Sequence, residues 1–111
     1  MNEHRVAIYI RVGNKDQLIA SAAVQQQKQE LERFAKENNM TVVGHYYDIG
    51  FSGRELDRPG LKGIISDGKK KMFQSVLVPK HDNLYRGNWL NAPKWPFNVI
   101  AKKQCSRARE R

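Results

Sequence analysis

The sequence is nearly without cysteine, and the lone Cys105 excludes both an intrachain disulfide and a cysteine-based metal cluster. Its three histidines, His4, His45 and His81, show no metal-ligand spacing, so neither a metal nor a cofactor is expected. No apolar run approaches the ~20 residues that span a bilayer, and the polar start Met1–Arg5 leads straight into a strand-like segment, unlike a secretory or transit signal. A soluble protein with no membrane partner and a cytoplasmic location is the default expectation. Acidic residues are also scarce. Eleven Asp and Glu face 20 Lys and Arg, a formal net charge of +9 at pH 7. That excess raises the local concentration of a polyanion such as DNA in a salt-dependent way, although charge alone leaves a merely solvated surface equally open. With 111 residues, one hydrophobic core is expected.

What is present alternates between two periodicities. Arg5–Val12 is a β-branched and aromatic run ending at Gly13-Asn14, which predicts a largely buried strand and a turn. From Ala22 to Asn38, Val24, Leu31, Phe34 and Ala35 recur at helical spacing, with Asn38-Asn39 as a stop. Thr41–Tyr47 reads as a second strand feeding an irregular loop, Asp48–Gly53. Pro59 opens a second helix that buries Leu61, Ile64 and Ile65 and ends near Gly68 and Lys69-Lys70-Lys71. Phe73–Val78 supplies a third apolar strand. The order β-α-β-α-β favours parallel strands joined by crossover helices, hence an α/β fold: a three-layer α/β sandwich with a mainly parallel sheet. Beyond Arg86 the pattern fails. Residues 1–87 are therefore expected to form one domain, and residues 88–111 a divergent basic tail of uncertain structure.

In an open parallel sheet, functional groups gather beyond the carboxyl ends of the strands. Arg11, Gly13, Asn14, Asp16 and Gln17 follow the first strand. Asp48, Ser52, Arg54 and Arg58 follow the second, and Lys80, His81, Asp82, Asn83 and Arg86 the third. Arginines and a lysine converging on one edge make a phosphate-binding surface, because guanidinium forks match phosphate oxygens and stay charged at any working pH. Solvated loop charges are the alternative. Trp89, Trp95 and Phe97, set among lysines, are more readily apolar cover for the sheet than a stacking surface for bases.

Three segments carry a specific resemblance. Tyr9-Ile-Arg-Val-Gly-Asn-Lys-Asp-Gln17 resembles the first serine recombinase motif, Tyr-x-Arg-Val-Ser-Thr-x-x-Gln. Asp48-Ile-Gly-Phe-Ser-Gly53, continuing through Leu56–Leu61, is similar to the family's Asp-x-Gly-x-Ser-Gly loop and Arg-Pro-x-Leu helix start. Val76–Arg86 resembles its third motif, Lys-x-Asp-Arg-Leu-x-Arg. The resemblance covers about residues 5 to 87. It implies a resolvase-like fold and a transesterification at a DNA phosphodiester, in which a serine hydroxyl attacks phosphorus and leaves a 5′-phosphoserine link. Arginines around such a transition state stabilise its spreading negative charge. By position, Arg11, Arg58 and Arg86 would be phosphate ligands, with Ser52 and Lys80 beside them. Gln17 would orient the site, Asp82 would be its acidic group, and DNA would be the partner.

The departures are equally specific. Gly13 stands where the family keeps its nucleophilic serine, and Asn83 replaces an arginine. The helix, further strand and long dimerisation helix expected after Arg86 cannot be read in Gly87–Arg111, so the C-terminal part of the fold is expected to be incomplete. An inactive recombinase-type domain from a mobile element follows. The alternative is a noncatalytic module that binds DNA or an intact recombinase, or that self-associates.

Overall fold

The computed structural model describes residues 4–51, 57–85 and 94–102. Four parallel strands form one sheet in the order β2-β1-β3-β4, with β1 (His4–Val12), β2 (Met40–Ile49), β3 (Ser75–Val78) and β4 (Asn98–Ala101). Helix α1 (Gln17–Glu37) covers one face, while α2 (Pro59–Lys69) and the one-turn α3 (His81–Leu84) cover the other. The three-layer arrangement matches the expectation.

The alternation of β1 explains the layering. Ile8, Ile10 and Val12 point toward α1 and pack on Ala20, Val24, Leu31 and Ala35, whereas Ala7 and Tyr9 point toward Leu61, Ile64 and Leu84. A strand buried on both faces belongs in the middle of a parallel sheet, which is why the run reads as continuously apolar. Burying each such aliphatic side chain contributes about 1.5–3 kcal/mol. Along β2 the pairing with β1 slips once, between Val6 and Ala7, leaving Val43 as an extra residue. The bulge resets the alternation, so that Tyr46 turns toward α2 and Tyr47 toward α1.

Three elements differ from the sequence expectation. Helix α1 starts at Gln17 rather than near Ala22, because the Asp16 carboxylate accepts from the backbone N–H groups of Leu18 and Ile19 at 3.0 and 3.3 Å and caps the helix. Its first turn has no burial pattern to betray it, since Leu18 is 84% exposed and Ile19 55%. Strand β2 continues through Asp48 and Ile49, which the sequence placed in a loop, and Gly50, with φ +85°, makes the turn that follows. Residues 88–111 are not only a tail: Asn98–Ala101 adds a fourth strand beside β3. Four residues are too short for a period to register. Trp95 stacks on Phe97 at 6.0 Å, and both pack against the core beneath α2, as apolar cover.

Tyr46 ties β2 to α2 by donating to Asp67 at 2.5 Å, and burial together with this bond pushes its phenol from 10.0 up to about 12. An unfolded tyrosine ionises near 10. The contribution is therefore complete below pH 10 and lost as pH rises from there to about 12, because over that window the folded state holds a proton that the unfolded state has released. Unfolding free energy is expected to decline across that window and to decline less in Tyr46→Phe, as measured by urea titrations at stepped pH.

Candidate functional site

The carboxyl edge of the sheet brings together β1, the loop after β2, the start of α2, and α3. Arg11, at the end of β1, spreads its guanidinium among backbone carbonyls: Nε donates to Asn83 O at 3.3 Å, Nη1 to Phe51 O at 3.1 Å and Nη2 to Asp82 O at 3.0 Å. Arg58, immediately before α2, is fully buried. Its Nη1 donates to Tyr9 Oη at 2.9 Å and to Asn83 O at 3.2 Å, and its Nη2 to Leu84 O at 2.5 Å. One carbonyl, that of Asn83, thus receives both arginines.

Beneath them lies a buried carboxylate. Asp48 is 3% exposed and accepts from Tyr9 Oη at 2.7 Å, Gly60 N at 2.7 Å and Leu61 N at 2.9 Å, so it caps the first turn of α2. Tyr9 relays between the charges, accepting from Arg58 and donating to Asp48. Burial, reinforced by the Asp48 bond and opposed by Arg58, pushes its phenol far up. It stays a neutral donor at any physiological pH. Burying a cation and an anion this close is tolerable only when hydrogen bonds satisfy both, which the Tyr9 relay and the carbonyls do. Within this hub, the buried Nε of Arg58 has no hydrogen-bond partner among the described residues.

The other described candidates follow the carboxyl ends of β1 and β3. Gly13 is exposed just past the end of β1, two residues beyond Arg11, and a Cβ built on it meets nothing nearer than Arg11 Nη1 and Phe51 O, each 3.9 Å away. The backbone keeps room for a side chain that the residue does not supply. Gly13→Ser is therefore expected to change stability by no more than about 0.5 kcal/mol, checked by thermal unfolding. Gln17 is the exposed first residue of α1. Lys80 and the Asp82 side chain are exposed at the start of α3, where Asp82 engages Arg11 through its carbonyl. Ser52, Arg54 and Arg86 lie outside the described residues.

Asn83 has a role beyond the missing charge. Its Nδ2 donates to Arg11 O at 2.9 Å while its own carbonyl accepts from both guanidinium groups, so it fastens α3 to the end of β1. Tyr9 had no assigned role in the sequence reading. The signal was there: a hydroxyl inside an otherwise aliphatic strand must find a partner on its own face.

The architecture defines a parallel α/β domain with a basic carboxyl edge. The sequence model of the family described as "Resolvase, N terminal domain" matches residues 6–92. A Bacillus subtilis (strain 168) protein described as a DNA recombinase is 33% identical over 81 residues, 73% of this chain and 16% of that protein. The N-terminal catalytic domain of TP901-1 integrase is 37% identical, with a TM-score of 0.68 over 75% of this chain and 61% of that one. The C-terminal catalytic domain of ISC1926 TnpA, an IS607-like serine recombinase, shares the fold at 23% identity, with a TM-score of 0.79 over 96% of this chain and 75% of that one. This chain belongs to the resolvase N-terminal domain family of serine recombinases. It spans about a sixth of the Bacillus relative and under two thirds of the integrase domain.

Proposed function

We propose that this chain is a DNA-binding recombinase-type domain of mobile-element origin that holds a backbone phosphate at the carboxyl edge of its sheet without cutting it. The observation that carries this reading is the pair of guanidinium groups on the Asn83 carbonyl beside a glycine with no hydroxyl to offer. Phosphoryl transfer needs positioned positive charge and a nucleophile; the first is built and the second is absent at position 13. Arg11 is half-buried and lies nearest Gly13, so it is the direct ligand. Arg58 acts from beneath as a positioning residue, and Lys80 adds charge at the rim. By resemblance, Arg86 and Ser52 complete the site, while Gln17 and Asp82 border it.

The test is incubation with duplex DNA followed by denaturing electrophoresis and, separately, by native gel shifts at stepped salt. Binding that weakens steeply with salt, falls in Arg11→Ala and leaves no covalent adduct is expected. A serine-linked 5′ adduct, or binding indifferent to Arg11→Ala, would overturn the proposal. Restoring the hydroxyl with Gly13→Ser is expected to leave recombination absent, because Asn83 still stands in place of an arginine.

Exposed Leu18 and Ile19 at the start of α1, next to this edge, favour a second reading in which the domain docks on an intact recombinase or on a second copy. Sedimentation of the wild type beside Leu18→Ser/Ile19→Ser separates the two readings. A change in assembly state supports docking on a second copy, and an unchanged monomer removes self-association.

A further inference from the structure

On the α1 side of the sheet, away from Arg11, a cavity of about 440 Å³ opens at the carboxyl ends of β3 and β4. Gln27, Glu30 and Leu31 of α1 form one wall, Pro79 and Lys80 after β3 another, and Lys102 after β4 the third. Its size is that of small-molecule sites, and its position is the edge where open parallel sheets bind ligands.

The chemistry of the walls narrows the occupant. Gln27 Oε1 is buried and, among the described residues, receives no hydrogen bond. A buried acceptor bears its full desolvation cost until a donor arrives. Glu30 adds a second acceptor on the same wall. Across from them the exposed ammonium groups of Lys80 and Lys102 have no carboxylate partner among the described residues, which leaves both available to an anion. A bare phosphate would suit the lysines, yet it would leave Gln27 unsatisfied and face the Glu30 carboxylate. A ligand with an anion at one end, hydroxyl donors near it and an apolar surface for Leu31 and Pro79 satisfies every wall.

We propose that this cavity binds a nucleoside monophosphate, with the phosphate between Lys80 and Lys102 and the sugar hydroxyls on Gln27 Oε1 and Glu30. The unit is either a free nucleotide or the phosphorylated end of a nucleic acid strand. The site shares only Lys80 with the rim of the Arg11 hub and does not depend on the function proposed above. Because Lys80 borders both sites, Lys102 is the discriminating residue.

The experiment is calorimetric titration of the full chain with 5′-AMP, adenosine, inorganic phosphate and a short single strand with and without a 5′-phosphate. Variants Lys102→Ala and Glu30→Ala are run in parallel. Lys102 is exposed and Glu30 only half-buried, so both variants retain the fold, which circular dichroism verifies. Measurable 5′-AMP binding is expected, weakened at least tenfold for adenosine or phosphate alone and at least tenfold in each variant. Tighter binding of the phosphorylated strand than of 5′-AMP, lost in Lys102→Ala, assigns the site to strand ends. The reverse order assigns it to the free nucleotide. Absence of 5′-AMP and strand-end binding, phosphate binding as tightly as 5′-AMP, or binding unchanged in both variants would each overturn the proposal.

Discussion

Arg58→Ala is expected to destabilise the whole domain by about 3–5 kcal/mol, the range found when one partner of a buried charged network is removed. The side chain is fully buried, and its removal strips hydrogen bonds from Leu84 O, Asn83 O and Tyr9 Oη together. It also leaves the Asp48 carboxylate, 3% exposed, with no cation behind the Tyr9 relay. Arg58→Lys rescues little, because a single ammonium on a flexible stem cannot serve three acceptors that the planar fork meets at once. Urea unfolding followed by tryptophan fluorescence measures the effect. Arg11→Ala, made at a half-buried position, is expected to cost about 1–2 kcal/mol and to leave a folded protein whose DNA affinity can be read. A pure phosphate-ligand role for Arg58 predicts the opposite: a stable Arg58→Ala variant defective only in DNA binding.

The second large effect comes from one methyl group. A Cβ on Gly60 would sit 2.6 Å from Tyr47 O and 2.8 Å from Asp48 Oδ2. Neither can retreat, since β2 is paired with β1 at Tyr47 and the carboxylate is fixed by three donors. Gly60→Ala is expected to lose at least about 1–3 kcal/mol, the usual cost of overpacking. It does so by drawing the first turn of α2 off its cap. Because the damage passes through Asp48, Asp48→Asn and Gly60→Ala should be non-additive in a double-mutant cycle. Additive losses would show that the clash is absorbed elsewhere. Gly13→Ser is the contrasting case, a glycine with open space around it.

Much of this was legible in the residues. The apolar run at Val6–Val12 and the helical spacing of Val24, Leu31 and Ala35 specify the central strand and the helix on it, since both patterns reflect burial directly. The start of α1 was not legible by pattern, because Leu18 and Ile19 are exposed and only the Asp16 cap marks the boundary. β4 was missed because four residues after a Trp-Pro-Phe turn carry no period, and only pairing with β3 makes them a strand. At the site, residue type and order pointed to Arg11, Arg58 and Asp82 as neighbours. They could not show that Arg58 lies inside, with its donors committed to carbonyls. That depends on where α3 comes to rest, a tertiary fact set by Asn83.

The shared Asn83 carbonyl has an evolutionary consequence. Its bonds join residues 25 and 72 positions apart, and the Tyr9 relay spans separations of 39 and 49. Such long-range contacts tie distant segments together, so the arginines are wired into the folded state as well as into any chemistry. A lineage without the nucleophile could then shed Arg11 but not Arg58: natural selection for a folded polypeptide alone retains the buried arginine. Finding Arg58 intact in a member of the family therefore certifies no activity; the position free to change without cost to the fold is the one with open space around it, Gly13.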